Sequence, residues 1–201
     1  MIKNIIFDLG NVLLNFRPER FLKKYTEDEK RINKFVSIIT GSETWQKLDQ
    51  GSISMESARV HFSSQYPEEA ELIEIFFEHW MEILTPISKN VDLLEILKSN
   101  GYKIYVLSNF INEAYDFIRQ RYSFLNLFDG IVISGKIKVI KPEIGIFLHL
   151  LQKYNLNPEE CLFVDDIELF VSQASALGIK TIHYLPDTDL VSELRKYEID
   201  I

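Results

Sequence analysis

The stretch NIIFDLGNVLLNF, residues 4–16, sets an apolar run against a sudden carboxylate. Ile5, Ile6 and Phe7 are typical of a fully buried β-strand, and Asp8 follows them directly. Burying a charge is costly unless the charge is paired or binds a metal. The stretch therefore predicts a buried strand with an acid at its end, which is either a turn-forming or capping residue or a functional one.

The same order of residues recurs in two further stretches. KIYVLSNF (103–110) and ECLFVDDI (160–167) each place β-prone apolar residues before a polar pair. Two weaker runs, GIVISG (130–135) and TIHYL (181–185), resemble them, and helical patterns separate nearly all five. This alternation predicts an α/β fold, a Rossmann-like three-layer core with a parallel sheet and helices on both faces.

A long gap between the first two strands indicates an inserted subdomain. A crossover between parallel strands needs only a dozen or so residues, yet residues 15–85 show helical periodicity and no strong strand. We expect a catalytic core of residues 1–14 and 86–201 and an all-helical cap of residues 15–85. The predicted cap helices are DEKRINKFVSIIT, SMESARVHFSSQY and PEEAELIEIFFEHWMEIL.

Three other helical patterns fit the crossovers of the core. Their sequences are ISKNVDLLEILKSNG, EIGIFLHLLQKYN and ELFVSQASALG. Pro142 suits the first turn of the second helix, where a missing N–H costs nothing, so Lys141 is expected to open that helix.

Composition excludes several classes of protein. With 201 residues, 46% of them hydrophobic, the chain can bury a full core. Its net charge of −8 disfavours a nucleic-acid partner. The lone Cys161 cannot form an internal disulfide, and no apolar run approaches the roughly 18 residues of a membrane span. We expect a cytoplasmic protein without a membrane partner, and the oligomeric state stays open.

Polar side chains gather where the predicted strands end. In parallel α/β sheets, ligands bind at the carboxyl ends of the strands. Each residue alone has a structural interpretation as a cap, a turn residue or a surface lysine, but adjacent carboxylates repel and favour a cation. A carboxylate nucleophile, a hydroxyl, a lysine and an acid pair together suit phosphoryl transfer through an acyl-phosphate. The residues concerned are Asp8, Gly10, Ser108, Asn109, Lys141, Asp165 and Asp166.

These residues fall in four short motifs, FDLGNVLL, VLSN, IKPEIGIF and LFVDDIELF. In this order the motifs resemble those of the haloacid dehalogenase superfamily, in the branch whose helical cap is inserted after the first strand. The resemblance covers the whole chain. It implies a nucleophile at Asp8, a phosphate-neutralising Lys141, and phosphate contacts from Ser108 and Asn109.

The resemblance also implies a metal site. Mg²⁺ would be held by Asp8, the Gly10 carbonyl and Asp166, with Asp165 supporting it through water. Carboxylate and carbonyl oxygens are the ligands that Mg²⁺ prefers.

Two positions depart from the pattern of the family. Most family phosphatases have a second Asp, a general acid and base, where this chain has Gly10, and they often have Asn or Asp where it has Phe170. Phosphatases resembling α-D-glucose-1-phosphate phosphatase share DLGNV with this Gly, and a cap segment like GSIS (51–54). The absence of the second Asp therefore does not by itself exclude hydrolysis.

The cap is expected to recognise the substrate, because in such proteins it closes over the core site. Arg17 either grips an anionic or hydroxyl-rich substrate or is an ordinary solvated arginine. Trp45 and Asp49 either form a sugar platform with a hydrogen-bond acceptor or, for the tryptophan, belong to the core of the cap.

Together these features predict a Mg²⁺-dependent phosphatase that acts on a small phosphorylated metabolite, such as a sugar phosphate. One alternative is a catalytically weak or inactive protein of the same fold that has a binding or regulatory role. A metal-free 2-haloacid dehalogenase is the less favoured alternative, because a site without a cation has no use for the acid pair.

Overall fold

A five-stranded parallel sheet forms the centre of the structure, a computed structural model that describes residues 1–201. The strands are β1 (Asn4–Phe7), β2 (Lys103–Ser108), β3 (Gly130–Ile133), β4 (Cys161–Asp165) and β5 (Lys180–His183). They lie in the order β3-β2-β1-β4-β5, so β1 is central and pairs with β2 and β4. The predicted α/β fold and all five predicted strands are confirmed.

Both faces of the sheet are covered by apolar side chains. Ile5 and Phe7 belong to one buried cluster, whereas Ile6, between them, belongs to a second cluster. This alternation follows from the period of two in a strand. It explains why the strands are continuous apolar runs and why their first polar residues mark the edge of the sheet.

Five α-helices and no strand lie within residues 15–85, between β1 and β2. They are α1 (Pro18–Leu22), α2 (Glu29–Ile38), α3 (Glu43–Asp49), α4 (Met55–Gln65) and α5 (Ala70–His79). Their polar N-caps include Asp28, Ser42 and Ser54, each of which accepts hydrogen bonds from main-chain N–H groups in the first turn.

The chain leaves the core and returns to it at one place. The N–H of Asn15 donates to the Thr85 carbonyl at 2.8 Å, and that of Ile87 donates to the Leu13 carbonyl at 2.8 Å. These contacts support our proposal that residues 15–85 form a cap inserted into a core of residues 1–14 and 86–201.

Six helices follow the cap. They are α6 (Ser88–Ser99), α7 (Asn112–Arg121), α8 (Ser134–Ile137), α9 (Ile144–Lys153), α10 (Glu168–Ala176) and α11 (Leu190–Arg195). None of the helices has both the length and the apolar composition needed to cross a bilayer.

Two predicted helix bounds were wrong. The third predicted cap helix is shorter, because Pro67–Glu69 and Trp80–Ile83 form 3₁₀ turns on either side of α5. Lys141 and Pro142 do not open a helix, since α9 begins at Ile144. The amide side chain of Asn109 instead holds the Lys141 backbone, through bonds of 2.7 Å to its N–H and 2.9 Å to its carbonyl.

Aromatic rings form the centre of the cap. The ring of Trp45 lies 5.2 Å from that of Trp80, 6.1 Å from that of Phe76 and 6.1 Å from that of Phe16. Trp45 is buried, so it belongs to the core of the cap, which was one of its two predicted roles.

Candidate active site

Three acids meet at the ends of the two central strands. Asp8 directly follows β1, Asp165 ends β4 and Asp166 comes next. Because Phe7 is paired with Val164 in parallel register, the residues after them lie side by side. Carboxylate oxygens of the three acids all lie within 4.8 Å of one another. The predicted acid cluster is thus present at the carboxyl edge of the sheet.

A buried lysine pairs with two of these acids. The Nζ atom of Lys141 lies 2.9 Å from Oδ1 of Asp8 and 2.6 Å from Oδ2 of Asp165, and it donates to the Leu107 carbonyl at 3.0 Å. Burial lowers the pKa of Lys141, but attraction to the two carboxylates outweighs burial, and the net pKa is raised. The lysine is therefore a permanent positive charge beside Asp8.

Two aromatic rings complete the surroundings of this ammonium. Its Nζ atom lies 5.0 Å from the ring centroid of Phe170 and 5.4 Å from that of Phe163. Such cation–π contacts stabilise a desolvated ammonium. Phe170 cannot hydrogen bond to Lys141 as the Asn or Asp of related proteins would, yet it still contacts the lysine through its ring.

The cluster carries more negative than positive charge. Burial, together with repulsion from Asp8, raises the pKa of Asp166 to about 6, although a hydrogen bond from Asn11 opposes the shift. Burial also raises the pKa of Asp165, with Lys141 opposing. Three carboxylates face one ammonium, an imbalance that a divalent cation relieves.

The two neighbouring acids have different surroundings. Asp165 is fully buried, and its two oxygens accept hydrogen bonds from Lys141 and from the Ile167 N–H at 2.8 Å. Asp166 lines a cavity together with Asp8 and Gly10. Asp166 is therefore the acid that is open to a metal, and Asp165 holds the lysine.

Asn11 also belongs to the site, although it was not among the residues predicted from the sequence. Its Nδ2 atom donates to Oδ2 of Asp166 at 3.1 Å, and its Oδ1 atom accepts from the Phe16 N–H at 3.2 Å. Its φ of 53° is left-handed, a conformation that asparagine adopts more readily than most residues. The Gly-Asn pair after the strand was the signal for such a turn.

The main-chain N–H groups that follow β1 differ in whether they have a hydrogen-bond partner. The N–H of Asp8 donates to the Val164 carbonyl and that of Asn11 to the Leu14 carbonyl, but those of Leu9 and Gly10, between them, donate no hydrogen bond within the chain. Successive N–H groups of this kind form an anion-binding concavity.

The site opens into a cavity of about 390 Å³ between the sheet edge and the cap. Half of its twenty lining residues are hydrophobic, and polar residues of the cap also line it. The aromatic lining residues are Phe16, Trp45, Trp80, Phe110 and Phe170.

The structure brings only part of the predicted substrate-binding set to this cavity. Lys141 and Asn109 line it, although the amide of Asn109 is engaged with the Lys141 backbone. Ser108 is buried at the end of β2, and Arg17 precedes α1; neither lines the cavity. Substrate contacts from Ser108 and Arg17 stay predictions.

Steric crowding does not explain why position 10 is a glycine. A Cβ atom built there has a single neighbour within 4 Å, Oδ2 of Asp8 at 3.9 Å. The strand end thus has room for a larger residue, but the chain offers no proton donor at this position.

Asp49 is the one acid of the cap that lines the cavity. It ends α3, and its main-chain carbonyl accepts a hydrogen bond of 2.5 Å from the Ser134 hydroxyl. Burial, followed by repulsion from Asp8, raises the pKa of Asp49 to about 8, with Lys141 opposing. A carboxyl with this pKa is mostly protonated at neutral pH.

Comparison with known families and proteins gives a consistent result. The model of the haloacid dehalogenase-like hydrolase family matches residues 2–168. The chain is 28% identical over 194 residues to the sesquiterpene phosphatase astK of Aspergillus oryzae, covering 96% of this chain and 95% of that protein. It is 24% identical over 206 residues to the D-ribitol-5-phosphate phosphatase of Bacteroides thetaiotaomicron, covering 96% and 97%.

Solved structures share the fold. The HAD family enzyme bt-2542 of Bacteroides thetaiotaomicron, crystallised with magnesium and inorganic phosphate, superposes with a TM-score of 0.74 at 24% identity. The match covers 97% of this chain and all of that one. The fold of this chain thus has a counterpart in an experimental structure.

Proposed function

The chain belongs to the haloacid dehalogenase-like hydrolases, and from that premise we propose that it is a Mg²⁺-dependent phosphatase acting through an aspartyl-phosphate on Asp8. The observation that carries this proposal is the convergence of Asp8, Lys141 and Asp166 on one edge of the sheet. A nucleophile, a fixed positive charge and a second acid are the groups that phosphoryl transfer requires. The phosphatase relatives support the same reaction class.

In this proposal, Asp8 attacks the phosphorus of a phosphate monoester, and the ester oxygen leaves as the alcohol. Water then cleaves the aspartyl-phosphate and releases inorganic phosphate. Lys141 holds the Asp8 carboxylate through its contact of 2.9 Å and offsets the negative charge of the phosphoryl group. We propose that the N–H groups of Leu9 and Gly10, which donate no hydrogen bond within the chain, receive phosphate oxygens.

The residues present fit a magnesium ion. Asp8 and Asp166 line the cavity and supply carboxylate oxygens, with the Gly10 carbonyl as a further donor. Asp165 would act through Lys141 and through water, because both its oxygens accept hydrogen bonds within the chain. A bound Mg²⁺ supplies positive charge that screens the repulsion between the nucleophile and the substrate phosphate.

The cavity lining favours a substrate whose organic part is apolar. Trp45, Trp80 and Phe110 line the cavity into which the catalytic acids open. A polyol such as a sugar needs several polar partners, for which the cap offers Thr40 and Gln46. An apolar chain gains instead from burial against the aromatic lining. The similarity to a sesquiterpene phosphatase supports this choice. Sugar phosphates, the class suggested by the sequence analysis, form the comparison set.

The test is phosphate release from alkyl phosphates, isoprenoid monophosphates and sugar phosphates, with Mg²⁺ and with EDTA. The native chain is compared with Asp8→Asn and with a matched control, Asp116→Asn, which changes an exposed acid on α7. Mg²⁺-dependent release that Asp8→Asn abolishes and Asp116→Asn leaves intact supports the proposal.

Binding without turnover favours the alternative of a binding or regulatory protein. In that case a phosphorylated compound raises the melting temperature of the native chain, but no phosphate appears. Gly10, which has no proton-donating side chain, would then account for the loss of hydrolysis.

A further inference from the structure

The cavity holds four titratable side chains, and the proposed function uses only three of them. Asp8, Lys141 and Asp166 serve as the nucleophile, the fixed charge and a metal ligand. The fourth is Asp49, which reaches the cavity from the cap. No hydrogen bond to its carboxyl group forms within the chain, so this group is available to a substrate.

Hydrolysis of an alkyl phosphate needs a proton for the leaving oxygen, since an alkoxide is a poor leaving group. The sheet edge offers no donor for it. Gly10 has no side chain, and the Lys141 ammonium is already directed to Asp8, Asp165 and the Leu107 carbonyl. Asp166 must be ionised to hold a metal.

We propose that Asp49 is the general acid and base of this enzyme, placed over the site by the cap instead of by the strand that carries the nucleophile. The inference rests on the proposed phosphatase function and assigns a residue to its proton transfers.

In the proposed reaction, Asp49 transfers one proton in each of the two half-reactions. As an oxygen of Asp8 bonds to phosphorus, the bond from phosphorus to the ester oxygen breaks, and the Asp49 carboxylic acid gives its proton to that oxygen. In the second half, the Asp49 carboxylate takes a proton from water. The water oxygen bonds to phosphorus, the bond from phosphorus to Asp8 breaks, and both acids return to their starting forms.

The main chain beside Asp49 is fastened to the core. The hydroxyl of Ser134, at the start of α8, donates to the Asp49 carbonyl and itself accepts from the Phe110 N–H at 2.9 Å. Lys138 donates to the Gly51 carbonyl. These contacts hold the end of α3 against the core, which is the positional control that a proton donor requires.

The surroundings of Asp49 also suit a proton donor. Burial, followed by repulsion from Asp8, raises the pKa of Asp49 to about 8, a direction that favours the protonated carboxyl. A group that merely accepted a hydrogen bond from a substrate hydroxyl would not need its proton.

Two substrates that differ in their leaving group separate proton donation by Asp49 from any other role of this residue. Asp49→Asn keeps the size of the side chain but cannot donate a carboxyl proton. The variant is assayed with hexyl phosphate, whose alkoxide needs a proton, and with p-nitrophenyl phosphate, whose phenolate leaves without one. Glu43→Gln, an exposed acid in the first turn of the same helix, is the matched control.

We expect Asp49→Asn to lower the single-turnover rate of hexanol release from hexyl phosphate by about 10²- to 10⁴-fold, with much less loss in the pre-steady-state burst of p-nitrophenol. The later hydrolysis of the aspartyl-phosphate is common to both substrates and should slow equally. An equal loss in these two first-turnover rates overturns the inference, because it indicates a structural or binding role. No loss on either also overturns it. If the native chain hydrolyses neither substrate with Mg²⁺, the proposed function itself fails.

A second variant tests whether a carboxyl at another position restores the activity that Asp49→Asn loses. The space at Gly10 accommodates a Cβ atom, so Gly10→Asp places a carboxyl on the sheet side of the cavity. In the Asp49→Asn background, Gly10→Asp is expected to raise the rate of hexyl phosphate cleavage at least tenfold above that of Asp49→Asn alone. Failure to recover, in a double variant that retains the p-nitrophenol burst, counts against a missing proton as the cause.

Discussion

The hydroxyl of Ser134 donates a hydrogen bond of 2.5 Å to the main-chain carbonyl of Asp49, and so joins the end of the third strand to a helix of the cap. The two residues are 85 positions apart in the chain. Ser134 is fully buried, and its oxygen also accepts from the Phe110 N–H. One hydroxyl therefore ties the cap, the third strand and the loop after the second strand together.

Ser134→Ala is expected to destabilise the protein and to slow phosphate release. The change leaves a buried carbonyl and a buried N–H without partners, which typically costs about 1–3 kcal/mol per group. Urea unfolding and turnover measure the two effects. Ser99→Ala, which removes an exposed hydroxyl bonded to its own helix at Glu95, should change stability by less than about 0.5 kcal/mol. Equal effects from both variants would contradict the importance of the contact.

Gly51→Ala is expected to weaken the seating of the cap. Gly51 has a φ of +66°, and a Cβ atom there would lie 2.6 Å from the Gly135 carbonyl oxygen. Gly101 has a φ of +86° with nothing within 4 Å of such a Cβ. Gly101→Ala therefore measures the conformational cost alone, about 1–2 kcal/mol. Gly51→Ala should cost more than that and should also lower turnover, whereas Gly101→Ala should leave turnover intact.

The strands and the acid cluster could be predicted from the sequence because both depend on local order. A buried parallel strand is a continuous apolar run, and its register with a neighbour brings the next residues together, as for Asp8 and Asp165. The helical insertion was equally visible, from the length of chain between the first two strands.

Other parts of the site depend on contacts between distant segments and carry no local signal. The proximity of Asp49 to the site follows from its contact with Ser134. The position of Lys141 follows from the amide of Asn109, which holds its backbone before α9 begins. The contact between the Lys141 ammonium and the Phe170 ring is likewise tertiary, and a motif comparison shows only that Phe170 is unusual.

Lys141→Met is expected to destabilise the protein strongly and to abolish phosphate release. It leaves Asp8 and Asp165 as buried carboxylates without their partner, and breaking a buried pair in this way typically costs about 3–5 kcal/mol. Lys180→Met, at an exposed position of the sheet edge, is the matched control. A loss of stability below about 1 kcal/mol for Lys141→Met would show that the pair is worth little.

Asp166→Asn is expected to have opposite effects with and without metal. Removing one of three crowded carboxylates relieves repulsion, so the metal-free variant should melt at a higher temperature than the native chain. Mg²⁺ at 100 times its Kd should stabilise the native chain by about 2.7 kcal/mol. At the same Mg²⁺ concentration the variant should gain much less. A full Mg²⁺ response in the variant would exclude Asp166 as a ligand.

Asp129 should give the protein a pH-dependent stability that is separate from the active site. Burial raises the pKa of Asp129, but hydrogen bonds from Lys98, the Ile104 N–H and Lys103 outweigh burial, and the net pKa is lowered. A carboxyl with a lowered folded-state pKa contributes stability above its unfolded value near 3.8, and this contribution is lost as the pH falls through the folded value. Asp129→Asn should therefore be less stable than the native chain by about 1–2 kcal/mol at pH 7, with a difference that shrinks below pH 4.

The measurement for Asp129 is urea unfolding of the native chain and of Asp129→Asn between pH 3 and pH 7. Asp116→Asn serves as the control for loss of an exposed acid, and its difference from the native chain should stay small throughout. A difference for Asp129→Asn that is constant across this range would contradict the charge-based explanation, because a purely steric or packing effect does not titrate. Since Asp129 accepts a hydrogen bond from the Ile104 N–H at the start of β2, a titrating difference would show that this charge stabilises the central sheet.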